Sequence, residues 1–224
     1  MTPDKRTIEV GEAGAVTCIL QVPDRALACY VMAHGAGAGI TQPFMSAVAD
    51  GLYARRIGTL RYHFPYMERG SRRPDNPAVA HATVRAAVSE AHRAVPSLPL
   101  FAGGKSFGGR MTSQAQAEAP LPHIRGLVFF GFPLHAAGQP AILRAQHLER
   151  VQVPMLFLQG TRDTLADFKL ITLVTDELGQ RARLVEVQDG DHSFHVRARS
   201  GRTDAQALTE VLHAVCAWIA AQIG

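Results

Sequence analysis

The chain has 224 residues, 47% of them hydrophobic and 19% charged, and a formal net charge of +4. This balance excludes a disordered or low-complexity polymer and leaves enough apolar residues for a packed core, expected as one domain spanning residues 1–224. The positive excess is mild and concentrated between Arg55 and Arg73 without interleaved aromatic platforms, so it reads as a solvated, arginine-rich loop and not as a nucleic-acid surface.

At the N-terminus, Lys5 and Arg6 are followed by no apolar run, so no secretory leader is expected. Nor is there a stretch of about 18 apolar residues to span a bilayer, and no membrane partner is expected. The three cysteines, Cys18, Cys29 and Cys216, sit apart in apolar surroundings. They read as free buried thiols in a reducing, cytoplasmic setting. Strand-like runs follow at Ile8–Val10, Ala15–Val22 and Ala26–Ala33, the last ending in the glycine-rich run His34–Gly39. Phe44, Val48, Leu52 and Ile57 recur at helical spacing, with Gly58 as the stop.

A short strand is predicted over Thr59–Phe64, a polar loop to about Pro77, and a helix over Ala78–Val95 closed by Pro96. Leu98–Ala102 predicts a strand, Gly103–Gly109 a sharp turn, and Arg110–Ala119 a helix. Strands are predicted over Ile124–Phe132, Val153–Gln159 and Ala182–Val187, and helices over Leu165–Leu178 and Thr203–Ile223. Nearly continuous apolar strands alternating with helices imply an α/β fold: a mostly parallel sheet covered on both faces. The two alternating early strands suit an antiparallel edge.

Three glycine-rich readings compete. Gly104-Lys105-Ser106 ends like a phosphate loop, but the leading glycine of that motif falls on Pro99, which has no N–H for the cradle. Gly35-Ala36-Gly37 begins like a dinucleotide fingerprint, but its third glycine falls on Ile40 and no acid ends the next strand. No nucleotide cofactor is therefore expected. Gly104-Lys105-Ser106-Phe107-Gly108 fits Gly-x-Ser-x-Gly, and here a strand precedes the motif and a helix follows it. Flanking glycines relieve the crowding of a tight strand-to-helix turn and leave the serine hydroxyl exposed above the sheet.

A serine needs a base, and the base needs a carboxylate to fix its tautomer. In this architecture they follow in the order Ser, Asp or Glu, His. Asp163 leaves the strand Val153–Gln159, and His192 leaves the strand Ala182–Val187, both at C-terminal strand ends. Asp167 and Asp176 read as solvated helix charges, and His195 as a supporting group. A metal held by His192 and His195 is not expected, since no helical His-Glu-x-x-His motif contains them. The backbone N–H groups of Phe107 and Ala36 are the expected oxyanion donors. Lys105 and the Arg69–Arg73 loop raise an acidic substrate as a lesser option.

With these residues placed, the chain resembles the α/β-hydrolase superfamily from about Ala28 to the C-terminal helix. It is similar to the compact dienelactone-hydrolase-like branch that includes testis-expressed and chromatin-complex hydrolase-like proteins. The resemblance rests on His34–Gly37, Gly103–Arg110, Phe132–His135, Gly160–Asp163 and Asp191–Phe194. It implies a serine hydrolase acting on a small ester-like substrate, without cofactor. Dienelactone hydrolases proper use a cysteine nucleophile, so their substrate does not carry over. The short segment Leu134–Val151 implies an open site without a substantial lid, bordered by Phe64–Met67 and Pro133–His135. A non-catalytic interaction module and an acyltransferase are the competing uses of the same residues, and the oligomeric state is open.

Overall fold

The computed structural model describes residues 3–224, so Met1 and Thr2 lie outside it. An eight-stranded sheet runs through the molecule: β1 (Asp4–Glu9), β2 (Ala15–Gln21), β3 (Ala28–Ala33), β4 (Ile57–Tyr62), β5 (Leu100–Lys105), β6 (Ile124–Phe130), β7 (Met155–Gly160) and β8 (Ala182–Val187). Their order is β1-β2-β4-β3-β5-β6-β7-β8. β1 and β2 are antiparallel to each other, and β2 is antiparallel to β4; every later pairing is parallel. The expected antiparallel edge is therefore present.

Helices close both faces, which is why β3, β4, β5 and β7 are buried at every residue. On one face Tyr30, Met32, Phe101 and Phe130 pack with α1 (Pro43–Tyr53) and α6 (Asp204–Ile223). On the other, Val31, Ala102, Leu127 and Phe129 pack with α3 (Pro77–Ala94), α4 (Phe107–Glu118) and α5 (Phe168–Leu178). Neighbours such as Phe101 and Ala102 fall on opposite faces because side chains alternate along a strand.

The helix starts are chemically specified. Gln42 accepts from the Phe44 and Met45 N–H groups ahead of Pro43, and Asn76 caps α3 ahead of Pro77. Thr203 and Gln206 make a reciprocal capping box for α6. Asp167, read from sequence as a solvated charge, instead caps α5 by accepting from Lys169 and Leu170 N–H. Among the elements standing where loops were predicted are α2 (Pro65–Glu68) and a 3-10 segment, Leu143–Arg150. Cys18 and Cys29 are buried free thiols, and Cys216 is half-buried. No helix among the described residues is long and apolar enough to cross a membrane.

β5 runs on through both glycines to Lys105, where a turn was predicted from Gly103. The reason is backbone crowding. Gly103 and Gly104 have φ of +147° and +151°, and a Cβ on either would overlap a carbonyl oxygen of the adjacent strand, Val128 or Ala33. The parallel strands β3, β5, β6, β7 and β8 point their C-terminal ends to one edge, which delivers His34, Ser106, Asp163 and His192 to the same side of the sheet.

Candidate active site

Ser106 stands between β5 and α4 with φ +50° and ψ −115°, a left-handed conformation that costs a non-glycine residue of order 1–3 kcal/mol. The tight approach around it explains the next glycine of the motif: a Cβ on Gly108 would sit 2.6 Å from the His34 carbonyl oxygen. Ser106 N–H donates to Phe130 O at 3.1 Å, which fixes the turn against β6.

The hydroxyl of Ser106 is 2.8 Å from His192 Nε2, and His192 Nδ1 is 2.7 Å from Asp163 Oδ2. A carboxylate only accepts, so Nδ1 carries the imidazole proton and Nε2 is left to accept from the serine. The Asp163 side chain is wholly buried. Its Oδ2 also accepts from Gln159 Nε2 at 2.5 Å, and its Oδ1 from Leu165 N–H at 2.8 Å. These bonds compensate the burial of the charge and fix the face it presents to His192. Asp191 holds the histidine loop by accepting from Ser193 N–H at 2.8 Å and His195 N–H at 3.0 Å.

Gln159 was not among the sequence candidates. Its Oε1 accepts from Phe132 N–H at 2.9 Å while its amide reaches Asp163, so one buried side chain ties β7 to both the acid and the loop after β6. A glutamine inside the apolar run Met155–Gly160 was the available signal.

Lys105, raised above as a cation for an acidic substrate, is engaged within the protein. Its side chain is buried, its Nζ donates to the His192 carbonyl, and it lies over the rings of Phe44 and Phe194 at 5.8 and 5.5 Å. Burial lowers its pKa to about 8, with Asp163 and Asp191 opposing that shift. Arg69 is likewise committed elsewhere, to Asp75.

His34 organises the glycine-rich loop after β3. Its Nε2 accepts from Phe64 N–H at 3.1 Å, so Nδ1 carries the proton and donates to Gly35 O at 2.7 Å. Ala38 N–H donates to the same carbonyl at 3.1 Å. Because a trans peptide sets C=O and N–H on opposite sides, pinning Gly35 O fixes the direction of Ala36 N–H. Gly37 N–H is taken by the Tyr66 hydroxyl at 3.1 Å. The N–H groups of Ala36 and Phe107 donate to no protein group among the described residues. A Cβ on Gly35 would come within 3.9 Å of Ser106 Cβ, so this loop lies directly beside the serine.

Burial lowers the His34 pKa to about 4, the Gly35 hydrogen bond opposing that shift. The unfolded chain then binds a proton between about pH 6.5 and 4 that the folded chain refuses, so stability falls with pH across that window. This histidine alone accounts for roughly 3 kcal/mol of the loss at full protonation of the unfolded state. In urea titrations at pH 7 and pH 4.5, His34→Gln should shrink the difference between the two unfolding free energies. An unchanged difference would mean that His34 is not held neutral.

The remaining histidine candidates separate from the site. His195 is exposed and donates Nδ1–H to Asp204 Oδ2 at 2.5 Å at the start of α6. His135 accepts from Asp167 N–H at 2.9 Å and braces the loop after β6. Among the described residues no group of His, Cys, Asp and Glu is arranged to hold a metal ion.

A family model described as an alpha/beta hydrolase domain matches residues 26–220. The chain belongs to the α/β-hydrolase family. Its fold is similar to that of a serine hydrolase without a lid from Xanthomonas campestris, at 21% identity and a TM-score of 0.76, with 97% of this chain and 95% of that one covered. It is also similar to dienelactone hydrolase from Anabaena variabilis, at 22% identity, a TM-score of 0.75 and 97% of each chain covered. A third similar structure is Est1E from Butyrivibrio proteoclasticus, at 16% identity, a TM-score of 0.73 and 98% of each chain covered. As in the first of these, no lid domain stands over the strand ends: between β6 and β7 the chain forms only the 3-10 segment.

Proposed function

We propose that this protein is a serine hydrolase that cleaves small carboxylic esters, thioesters or lactones through an acyl-enzyme on Ser106. The observation that carries the reading is the continuous hydrogen-bond chain Asp163–His192–Ser106, ending beside two unused backbone N–H groups. A fold needs no such alignment for stability, and Ser106 occupies a strained conformation there.

In the proposed reaction Ser106 Oγ bonds to the substrate carbonyl carbon while its proton passes to His192 Nε2. Asp163 stays ionised and stabilises the imidazolium through Nδ1–H. The carbonyl oxygen becomes an oxyanion that accepts from Ala36 and Phe107 N–H, at the positive end of the α4 dipole. The bond to the leaving oxygen or sulfur then breaks, and that atom takes the proton from His192. Water repeats the sequence with His192 again as base, releasing the acid and restoring Ser106. No step calls for a cofactor.

A fluorophosphonate probe tests the assignment because it phosphonylates an activated serine and forms no stable adduct with an inert one. The folded wild-type protein should label stoichiometrically, and a 4-nitrophenyl ester should give a burst of nitrophenolate before steady turnover. Folded protein that stays unlabelled would sink the hydrolase reading and leave an interaction module. Labelling with product formed only when an acceptor alcohol or thiol is added would identify an acyltransferase.

A further inference from the structure

Arg110 lies one turn into α4, its N–H donating to Ser106 O at 3.1 Å. Side chains on a helix lean toward its N-terminus, which directs the Arg110 side chain back toward the turn that carries Ser106. It is half-buried, and its Nε is fully enclosed without a hydrogen-bond partner. Every other buried or half-buried arginine among the described residues donates to a carbonyl, a carboxylate or another side chain: Arg61 reaches Ile40 O, Arg85 reaches Ala115 O, and Arg162 reaches Asp189 O. Among the described residues the Arg110 side chain donates to no protein group and pairs with no carboxylate.

The 3-10 segment Leu143–Arg150 packs against α4, as do β5 and α3. Ser113 on α4 meets His147 Nε2 on that segment at 2.7 Å. One 3-10 turn before His147 stands Arg144, as Arg110 is one turn before Ser113. Arg144 gives one N–H to His135 O at 3.0 Å and makes no ion pair. Arg110 is thus close enough to a second cation for Arg144, after burial, to lower its pKa. Asp167, whose N–H reaches the ring of the same His135, is occupied by the α5 cap, and Asp163 by His192, Gln159 and Leu165 N–H. Two like charges held together with an enclosed, unused donor make an unfavourable arrangement that an anion between them would relieve.

We propose that Arg110 and Arg144 form an anion subsite beside Ser106, so that the preferred ester carries a carboxylate or phosphate-like group on its acyl chain. The proposal rests on the hydrolase reading above. It places the anion on the acyl side because Arg110 belongs to the serine's own helix and stays beside the acyl group while that group is bonded to Oγ. A guanidinium accepts a carboxylate or phosphate through two parallel N–H bonds, and charge-assisted bonds of this kind are the stronger class.

The test compares kcat/KM for 4-nitrophenyl hemisuccinate with that for neutral 4-nitrophenyl butyrate, and adds the 4-nitrophenyl ester of 3-phosphonopropionic acid as a phosphate-like arm. Wild-type protein should favour one or both anionic esters by at least tenfold, and the favoured arm identifies the anion. Arg110→Gln and Arg144→Gln should each cut the anionic-to-neutral ratio by about 10- to 100-fold. Arg110→Lys, which keeps the charge without the fork, should restore part of it. Raising the salt concentration should shrink the wild-type ratio, a readout that needs no variant to fold. A wild-type ratio near one, with both esters turned over, overturns the subsite alone. A ratio that neither substitution moves does the same. Failure to turn over any ester, together with absent fluorophosphonate labelling, overturns the hydrolase reading and the subsite with it.

Discussion

Ser106→Ala should lower kcat for a 4-nitrophenyl ester by about a millionfold, and Asp163→Asn by about ten-thousandfold, with KM changed far less in both. The two losses have different causes. Without Oγ there is no nucleophile, and only the donors of the Ala36 loop and α4 remain to act on the carbonyl. In Asp163→Asn the shape survives, but an amide presented to His192 at the 2.7 Å contact can offer N–H where the carboxylate accepted. The imidazole then turns to its other tautomer, with the proton on Nε2 facing Ser106 and no lone pair to receive the serine proton. Gln159 bears on the outcome, since its Nε2 donates to the same Oδ2 at 2.5 Å. In the Asn variant that neighbour favours the amide oxygen at the shared position, so Asp163→Asn with Gln159→Met should lose more activity than Asp163→Asn alone. Steady-state kinetics on the three variants, with circular dichroism to establish folding, check this. Asp163→Asn retaining more than a tenth of wild-type kcat would mean that Asp163 does not orient the base.

Much of this arrangement is legible in the sequence because chain order and strand position suffice to place it. Ala182–Val187 was bounded from its apolar pattern alone, and Asp163 and His192 follow from being just beyond strand ends. What could not be read depends on which groups meet across the sheet. The predicted end of β5 at Ala102 fell short because Gly103 and Gly104 read as a turn, whereas their use is to let two neighbouring carbonyls approach. Gly58 read as a helix stop but is a strand residue of β4, since glycine marks close backbone approach as readily as a break. The segment Leu143–Arg150 read as loop because a 3-10 helix leaves only Ala145 and Leu148 as its buried pair. In the site, Lys105 read as a substrate-facing cation from its place beside the serine. A strand residue's face alternates, and Lys105 turns inward to the His192 carbonyl. Gln159 and His34 each join a near neighbour, Asp163 or Gly35, to a backbone N–H distant in sequence, of Phe132 or Phe64, and no local pattern announces that second partner.

Gly104→Ala should be a severely damaging single-methyl change near the serine, destabilising the protein by more than about 4 kcal/mol or preventing folding. Its Cβ would overlap the Ala33 carbonyl oxygen and lie 2.9 Å from Ala33 N, and both are backbone atoms in the β3–β5 ladder that cannot rotate away. The φ of +151° adds a conformation that an L-residue rarely adopts. Gly138→Ala supplies the control. It has φ +73° but nothing within 4 Å of a built Cβ, so it carries backbone strain without overlap and should cost about 1 kcal/mol. Urea unfolding of the two variants separates steric exclusion from left-handed strain. Stabilities within about 1 kcal/mol of each other would mean that β3 and β5 can part at this point. If they cannot, the same closeness that forbids a methyl group on Gly104 also sets the distance between the loop after β3 and the serine after β5. The register Ala33–Gly104 then brings His34, Gly35 and Ala36 beside Ser106, and the spacing of the candidate oxyanion donors is a consequence of strand packing more than of loop conformation.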